Sequence, residues 1–205
     1  STALVEEASK ALEDSCKTGL VAKSITKKTI KRSPREPFRT SVLQQQASNR
    51  FGFTPKRTMQ IAQSLYAREG GGLITYIRTD SIEIDEGKLP SVRDQVAFMF
   101  GDDFVQPRNY KNKKEAKNVQ EAHGAITPVD ISLIPTEAKK VLKDDEFKLY
   151  QLIWQRTVAS QMKDALFERT SIEFVPTGDE GLATFSFSDQ ELIFSGYLEA
   201  TQEEV

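Results

Sequence analysis

Ser41-Val42-Leu43-Gln44-Gln45-Gln46-Ala47-Ser48-Asn49-Arg50-Phe51-Gly52-Phe53-Thr54-Pro55-Lys56-Arg57-Thr58-Met59 reads as two helices and the tight turn between them. Ser41 can cap a first helix that runs through Leu43, Ala47 and Arg50, and Gly52 stops it. Thr54 then caps a second, with Pro55 at the first helical position, where a missing N–H costs nothing. The second helix carries Met59, Ala62, Leu65 and Tyr66 on one side and runs to Gly70-Gly71-Gly72. Two helices joined so tightly look like a helix-turn-helix.

Outward from this pair the pattern changes. Leu4, Val5, Ala8, Ala11 and Leu12 stand at helical spacing near the start. Residues 20 to 32 are β-branched and basic and read as a strand with one solvated face, ended by Pro34 and Pro37. On the other side, helices are expected over 91–100, 136–142 and 144–162, the last with Phe147, Tyr150, Ile153, Trp154 and Val158 as its buried stripe. Residues 102 to 120 are polar and read as a solvated loop. Strands are expected over 171–175, 183–187 and 191–194, with Gly178 and Asp189 as turn residues. Strand-like sequence thus sits at both ends and helical sequence between. The economical α+β arrangement pairs the terminal strands in a small antiparallel β domain, residues 1–37 and 166–205, and inserts a mostly helical domain, residues 38–165.

The chain has 205 residues, 38% of them apolar, with 12 Phe, which is enough to build a core. No run approaches the ~18 to 20 apolar residues that cross a bilayer, so the sequence reads as soluble with no membrane partner. The single Cys16 cannot form an internal disulfide, and one Cys with one His makes no structural zinc site. A net charge of −2 at first disfavours a nucleic-acid partner. Split by segment it says the opposite. Residues 17 to 57 hold eleven Lys or Arg against a single acid, Glu36, whereas residues 163 to 205 hold two bases against ten acids. A polycationic segment of this kind suits a phosphate backbone.

Two segments could carry chemistry. In Gly72-Leu73-Ile74-Thr75-Tyr76-Ile77-Arg78-Thr79-Asp80-Ser81 a tyrosine is followed two residues on by an arginine and then by three hydrogen-bonding side chains. A phenol, with a pKa near 10, is a poor nucleophile unless cations stabilise charge on the phosphate it attacks, and Arg78 could clamp phosphate oxygens. The plainer reading, favoured on spacing alone, makes Tyr76 a half-buried strand residue and Arg78 a surface charge. In Gln120-Glu121-Ala122-His123-Gly124-Ala125-Ile126-Thr127-Pro128 stands the only histidine, which can donate to a phosphate or move a proton, or simply cap or fill a core.

The run 72–81 closely resembles the active-site tyrosine motif of the bacterial type IA DNA topoisomerases. Pro37 to Gln45, Phe51-Gly52-Phe53, Lys56-Arg57-Thr58-Met59, Ile61-Ala62-Gln63, Gln120-Glu121-Ala122-His123 and the segments 149–154 and 159–162 are similar to further family segments in the same order. The resemblance implies that Tyr76 attacks one DNA strand to give a 5′-phosphotyrosyl bond, that a strand passes through the gap, and that the free 3′-hydroxyl reverses the step without ATP, relaxing negative supercoils. It implies that Arg78 holds the scissile phosphate, that His123 helps organise the site, and that Thr79, Asp80 and Ser81 support it by hydrogen bonds. Lys56 and Arg57 are expected to meet the DNA backbone.

Two departures stand beside the histidine: Gly124 and Thr127 occupy places where the family usually has Glu and Arg. The family's Mg²⁺ acids lie in a Toprim domain that includes an Asp-x-Asp pattern. This sequence has none, Glu83-Ile84-Asp85 being the nearest. No cofactor is therefore assigned to these residues, and Mg²⁺ is expected to act through the Toprim domain of a longer parent. The chain is expected to be a central piece of that enzyme, inactive alone, partnered by single-stranded DNA and by the parent's other domains, and cytoplasmic at the nucleoid. The competing reading is a helix-turn-helix DNA-binding module without catalysis, in which Lys56, Arg57 and Gln60 approach base edges and Tyr76 is structural.

Overall fold

The computed structural model describes residues 10, 13–14, 17, 19–112, 123–178 and 184–201. The proposed helix over 4–12, the basic residues Lys113, Lys114 and Lys117, and Gln120 to Ala122 lie outside or mostly outside them. The architecture is α+β: six helices and one three-stranded antiparallel sheet among the described residues. The chain divides into two compact units, residues 1–32 with 165–194, and residues 33–164 with 195–205.

The first unit is the sheet. Strands β1 (Leu20–Arg32), β2 (Ala165–Pro176) and β3 (Phe185–Phe194) lie in the order β1-β2-β3. The basic β1 and the later β2 meet in antiparallel register, Ile25 opposite Ile172 and Ile172 opposite Phe187. Charge complementarity assists the pairing: Lys27 Nζ lies 2.7 Å from Glu168 Oε1, and the Arg32 guanidinium stands 4.1 Å from the centre of the Phe167 ring. Where three strands are expected after residue 167, the structure has two. Asp189 makes no turn; it sits in register opposite Thr170 inside a continuous β3, and its carboxylate accepts from the Gln190 N–H. A nine-pair ladder to β2 outweighs one residue's turn preference. β1 is exposed on both faces, since the consecutive residues Ile25 to Thr29 are all exposed.

The second unit is helical: α1 (Thr40–Phe51), α2 (Pro55–Tyr66), α3 (Leu89–Phe100), a 3₁₀ turn at Asp102–Phe104, α4 (Pro135–Ala138), α5 (Asp144–Ala159) and α6 (Leu198–Thr201). Gly52 ends α1 in the left-handed conformation, φ 69°, and its N–H returns to the Ser48 carbonyl. Thr54 caps α2 by accepting from the Arg57 N–H. Ser41 does not cap α1, which begins at Thr40 with Arg39 in the N-cap place. Helix α5 forms the centre; from Leu152 to Ala159 it is buried on every side, so its expected stripe is only part of its contact surface. Leu43 and Ala47 of α1, Ile61, Ala62 and Leu65 of α2, and Val92 and Val96 of α3 join Leu149, Ile153 and Val158 in one core. Its buried polar groups are satisfied: Trp154 Nε1 donates to the Ile131 carbonyl at 2.9 Å, and the Tyr150 hydroxyl, whose pKa burial pushes up, donates to the Leu133 carbonyl at 2.7 Å. After β3 the chain returns to this unit, where the Tyr197 N–H donates to the Lys163 carbonyl. The helical unit therefore includes residues 33–37 and 195–201, which the sequence reading assigned to the β domain.

Candidate active site

The segment carrying Tyr76 leaves the end of α2 and is laced to two other stretches of chain. The Leu73 N–H donates to the Leu65 carbonyl at 2.9 Å, and the Val129 N–H to the Leu73 carbonyl at 3.0 Å. Thr75 carries most of the lacing. Its N–H donates to the Thr127 carbonyl, its hydroxyl to the Ala125 carbonyl at 2.9 Å, and the same hydroxyl accepts from the Thr127 N–H at 2.9 Å. These bonds, with buried Ile74 and Ile77 as apolar anchors on either side, fix the backbone flanking Tyr76.

Tyr76 is half-buried and packs against two rings. The His123 imidazole centre lies 4.4 Å from the phenol centre at an interplanar angle of 43°, and the Tyr66 ring stands 5.7 Å away, edge-on at 71°. The structure thus brings together the tyrosine and the only histidine, 47 residues apart in sequence.

Beyond Tyr76, the Thr79 hydroxyl donates to the His123 carbonyl at 3.0 Å and accepts from the Ser81 N–H at 3.0 Å. The Ser81 hydroxyl accepts from the Glu83 N–H and from Asn112 Nδ2, while Asn112 Oδ1 accepts from the Ile82 N–H. Arg78 and Asp80 are exposed between these fastenings, with no hydrogen bond or ion pair among the described residues. Lys56 is exposed on α2, and nothing places it at the tyrosine. Arg57 is engaged elsewhere: its guanidinium lies 2.7 Å from Asp145 Oδ2 at the start of α5.

The two departures beside His123 have a structural setting. A Cβ on Gly124 would stand 2.8 Å from the Glu83 carbonyl oxygen, which accepts from the Ala125 N–H at 2.7 Å, so the backbone here approaches too closely for a side chain without a shift. Thr127 is buried and brings no charge to the site. The sequence assigns Thr40, Tyr66, Thr75 and Asn112 no role at the site: Thr40 and Thr75 stand inside the quoted runs 37–45 and 72–81, Tyr66 reads only as part of a helix face, and nothing local marks Asn112.

A DNA topoisomerase family model matches residues 2–205. The chain belongs to the DNA topoisomerase family. It is 44% identical over 186 residues to the DNA topoisomerase 1 of Streptomyces coelicolor, covering 89% of this chain and 19% of that protein. To the DNA topoisomerase 1 of Helicobacter pylori it is 44% identical over 179 residues, 85% of this chain and 24% of that protein. It superposes on full-length topoisomerase I from Thermotoga maritima with a TM-score of 0.79 at 33% identity, over 96% of this chain and 32% of that one. The chain therefore spans a quarter or less of the length of these two curated topoisomerases.

Among the described residues no group of three or more His, Cys, Asp or Glu side chains is placed to hold a metal ion. No helix among the described residues is long and apolar enough to cross a membrane.

Proposed function

We propose that the chain is the tyrosine-bearing segment of a type IA DNA topoisomerase and that Tyr76 is its nucleophile. The observation that carries the reading is the Tyr76–His123 pair, 4.4 Å between ring centres, on a loop whose next charged residue, Arg78, is exposed and unpaired among the described residues. Tyr76 Oη attacks the phosphorus of one strand. The P–Oη bond forms as the bond to the 3′-oxygen breaks, and the phenolic proton is balanced by the one gained at the 3′-hydroxyl. Arg78 binds the phosphate oxygens, where a guanidinium is worth most as charge develops. His123 donates to the same phosphate or orients the phenol. Reversal by the 3′-hydroxyl reseals the strand without ATP, and strand passage in between relaxes negative supercoils.

Mg²⁺, in this reading, would be held by acidic residues of a Toprim domain elsewhere in a longer polypeptide; the parent works in the cytoplasm, on the nucleoid. The preferred ligand of the segment is single-stranded DNA. In the alternative of a base-reading second helix, one of its three proposed reading residues, Arg57, is paired with Asp145 in the free chain.

The test is covalent trapping. The 205-residue chain alone relaxes no plasmid in Mg²⁺. Mixed with the N-terminal region of a relative such as the Thermotoga maritima enzyme, it yields a DNA–protein adduct that Tyr76→Phe abolishes. Relaxation by the chain alone overturns the proposed division of labour, and an adduct that survives Tyr76→Phe overturns the nucleophile.

A further inference from the structure

Helix α1 has no side-chain cap: Arg39, its N-cap residue, contributes none. The first N–H groups of a helix have no partner within it, and here that of Thr40 donates to the Thr79 carbonyl at 3.0 Å. The Thr40 side chain completes the connection in the other direction. Its hydroxyl oxygen accepts from the Thr79 N–H at 2.9 Å, and its proton faces two carbonyls, Ile77 at 2.8 Å and Thr79 at 3.0 Å. Ile77 and Thr79 are the residues on either side of Arg78. One hydroxyl thus closes both ends of the short backbone arch on which Arg78 stands, and the arch in turn caps α1. Arg78 itself is exposed and makes no hydrogen bond or ion pair among the described residues, so the backbone alone fixes where its side chain departs.

We infer that Thr40 is a positioning residue for Arg78: its hydroxyl, by bridging Ile77 and Thr79, aims the guanidinium at the phosphate of a bound DNA strand. The inference rests on the proposed phosphate-binding role of Arg78. A valine at position 40 has the shape of threonine but neither donor nor acceptor. It would leave the Ile77 carbonyl and the Thr79 N–H without this partner and release the arch. Serine keeps the hydroxyl, and cysteine has serine's shape with a sulfur that hydrogen-bonds weakly.

Binding of a fluorescent single-stranded oligonucleotide by the 205-residue chain, measured by anisotropy across a salt series, tests this directly. Arg78→Ala is expected to weaken binding about tenfold, the loss of a charge-assisted hydrogen bond, and to flatten the slope of log K against log salt by about 0.7, one single-strand phosphate contact. Thr40→Val is expected to weaken binding at least about threefold, to flatten the slope in the same direction, and to add nothing in the Arg78→Ala background. Thr40→Ser should bind as the wild type does. If Thr40→Val does not fold, as judged by near-ultraviolet circular dichroism, the Thr40→Ser and Thr40→Cys pair carries the test, with Cys weaker. Loss with Arg78→Ala but none with Thr40→Val or Thr40→Cys overturns the role of Thr40 alone, as does an effect of Thr40→Val that adds fully to Arg78→Ala. If Arg78→Ala binds like the wild type, the phosphate role of Arg78 falls and this inference with it.

Discussion

Gly72 lies so close to the end of α2 that a Cβ there would overlap the Tyr66 carbonyl oxygen. The obstacle is backbone, which cannot swing aside as a side-chain tip can. The close approach is what lets the chain leave α2 and lie with Tyr76 edge-on to Tyr66 only ten residues later. Gly72→Ala is expected to lower stability by about 1 to 3 kcal/mol, the usual range for overpacking, and to displace Tyr76 from Tyr66 and His123. Thermal unfolding measures the first effect, and the ring-current shifts of the His123 protons measure the second. An unchanged melting temperature would show that the turn yields without strain.

His123 holds the loop through its backbone and meets Tyr76 through its ring. His123→Ala therefore separates the two roles. The bond from Thr79 survives, and stability should change by about 1 kcal/mol or less, the worth of one ring contact. Single-turnover cleavage in the complemented enzyme should fall about 100-fold if the imidazole supports the attacked phosphate. A fall in stability with unchanged cleavage would assign His123 to the structure instead.

The Arg57–Asp145 pair is largely exposed on the arginine side, so the bridge itself contributes little. Asp145→Asn is expected to cost about 1 kcal/mol or less in urea unfolding, part of it from a weaker charge at the start of α5. It also frees Arg57. Single-stranded DNA binding should become tighter and its salt dependence steeper by about one phosphate contact; identical salt slopes would show that Arg57 does not face the DNA.

Glu146 ties α2 to α5: its carboxylate accepts from the Ser64 hydroxyl, with the Lys143 N–H and Arg68 as further partners. The hydrogen bond from Ser64 is the main reason its pKa lies below the ordinary 4.5. A carboxyl whose folded pKa is depressed contributes stability that is fully present above its unfolded value and is lost as the pH falls through the folded one. Urea unfolding of wild type and Glu146→Gln should differ most near pH 7, and the difference should shrink as the pH falls below the ordinary carboxylate value and on through the lower folded one. A difference that is constant with pH would mean that the carboxylate charge contributes nothing.

Much of this was legible along the chain. Gly52, Thr54 and Pro55 act on their immediate neighbours, and the structure uses them as their chemistry predicts. The β-branched, basic run 20–32 is a strand. Asp189 misled because turn preference is a weak local bias and the ladder to β2 is a sum over many residues. Ser41 misled for a related reason. The helix found a cap for its first N–H in a carbonyl 39 residues away, and a distant partner has no trace in the local pattern.

The sequence by itself determined the helix punctuation and the segregation of β-rich ends from a helical middle, which are decided within a few residues by backbone geometry or side-chain type. On spacing alone the run from Tyr76 to Ser81 favours a structural reading, and only its resemblance to the topoisomerase motif points to chemistry there. Only the tertiary structure decided that His123 comes to stand beside Tyr76, that Tyr66 packs edge-on against it, and that Thr40 grips the backbone around Arg78. These contacts join residues 10 to 47 positions apart, and they exist because burial of α1, α2 and α5 in one core brings those stretches together.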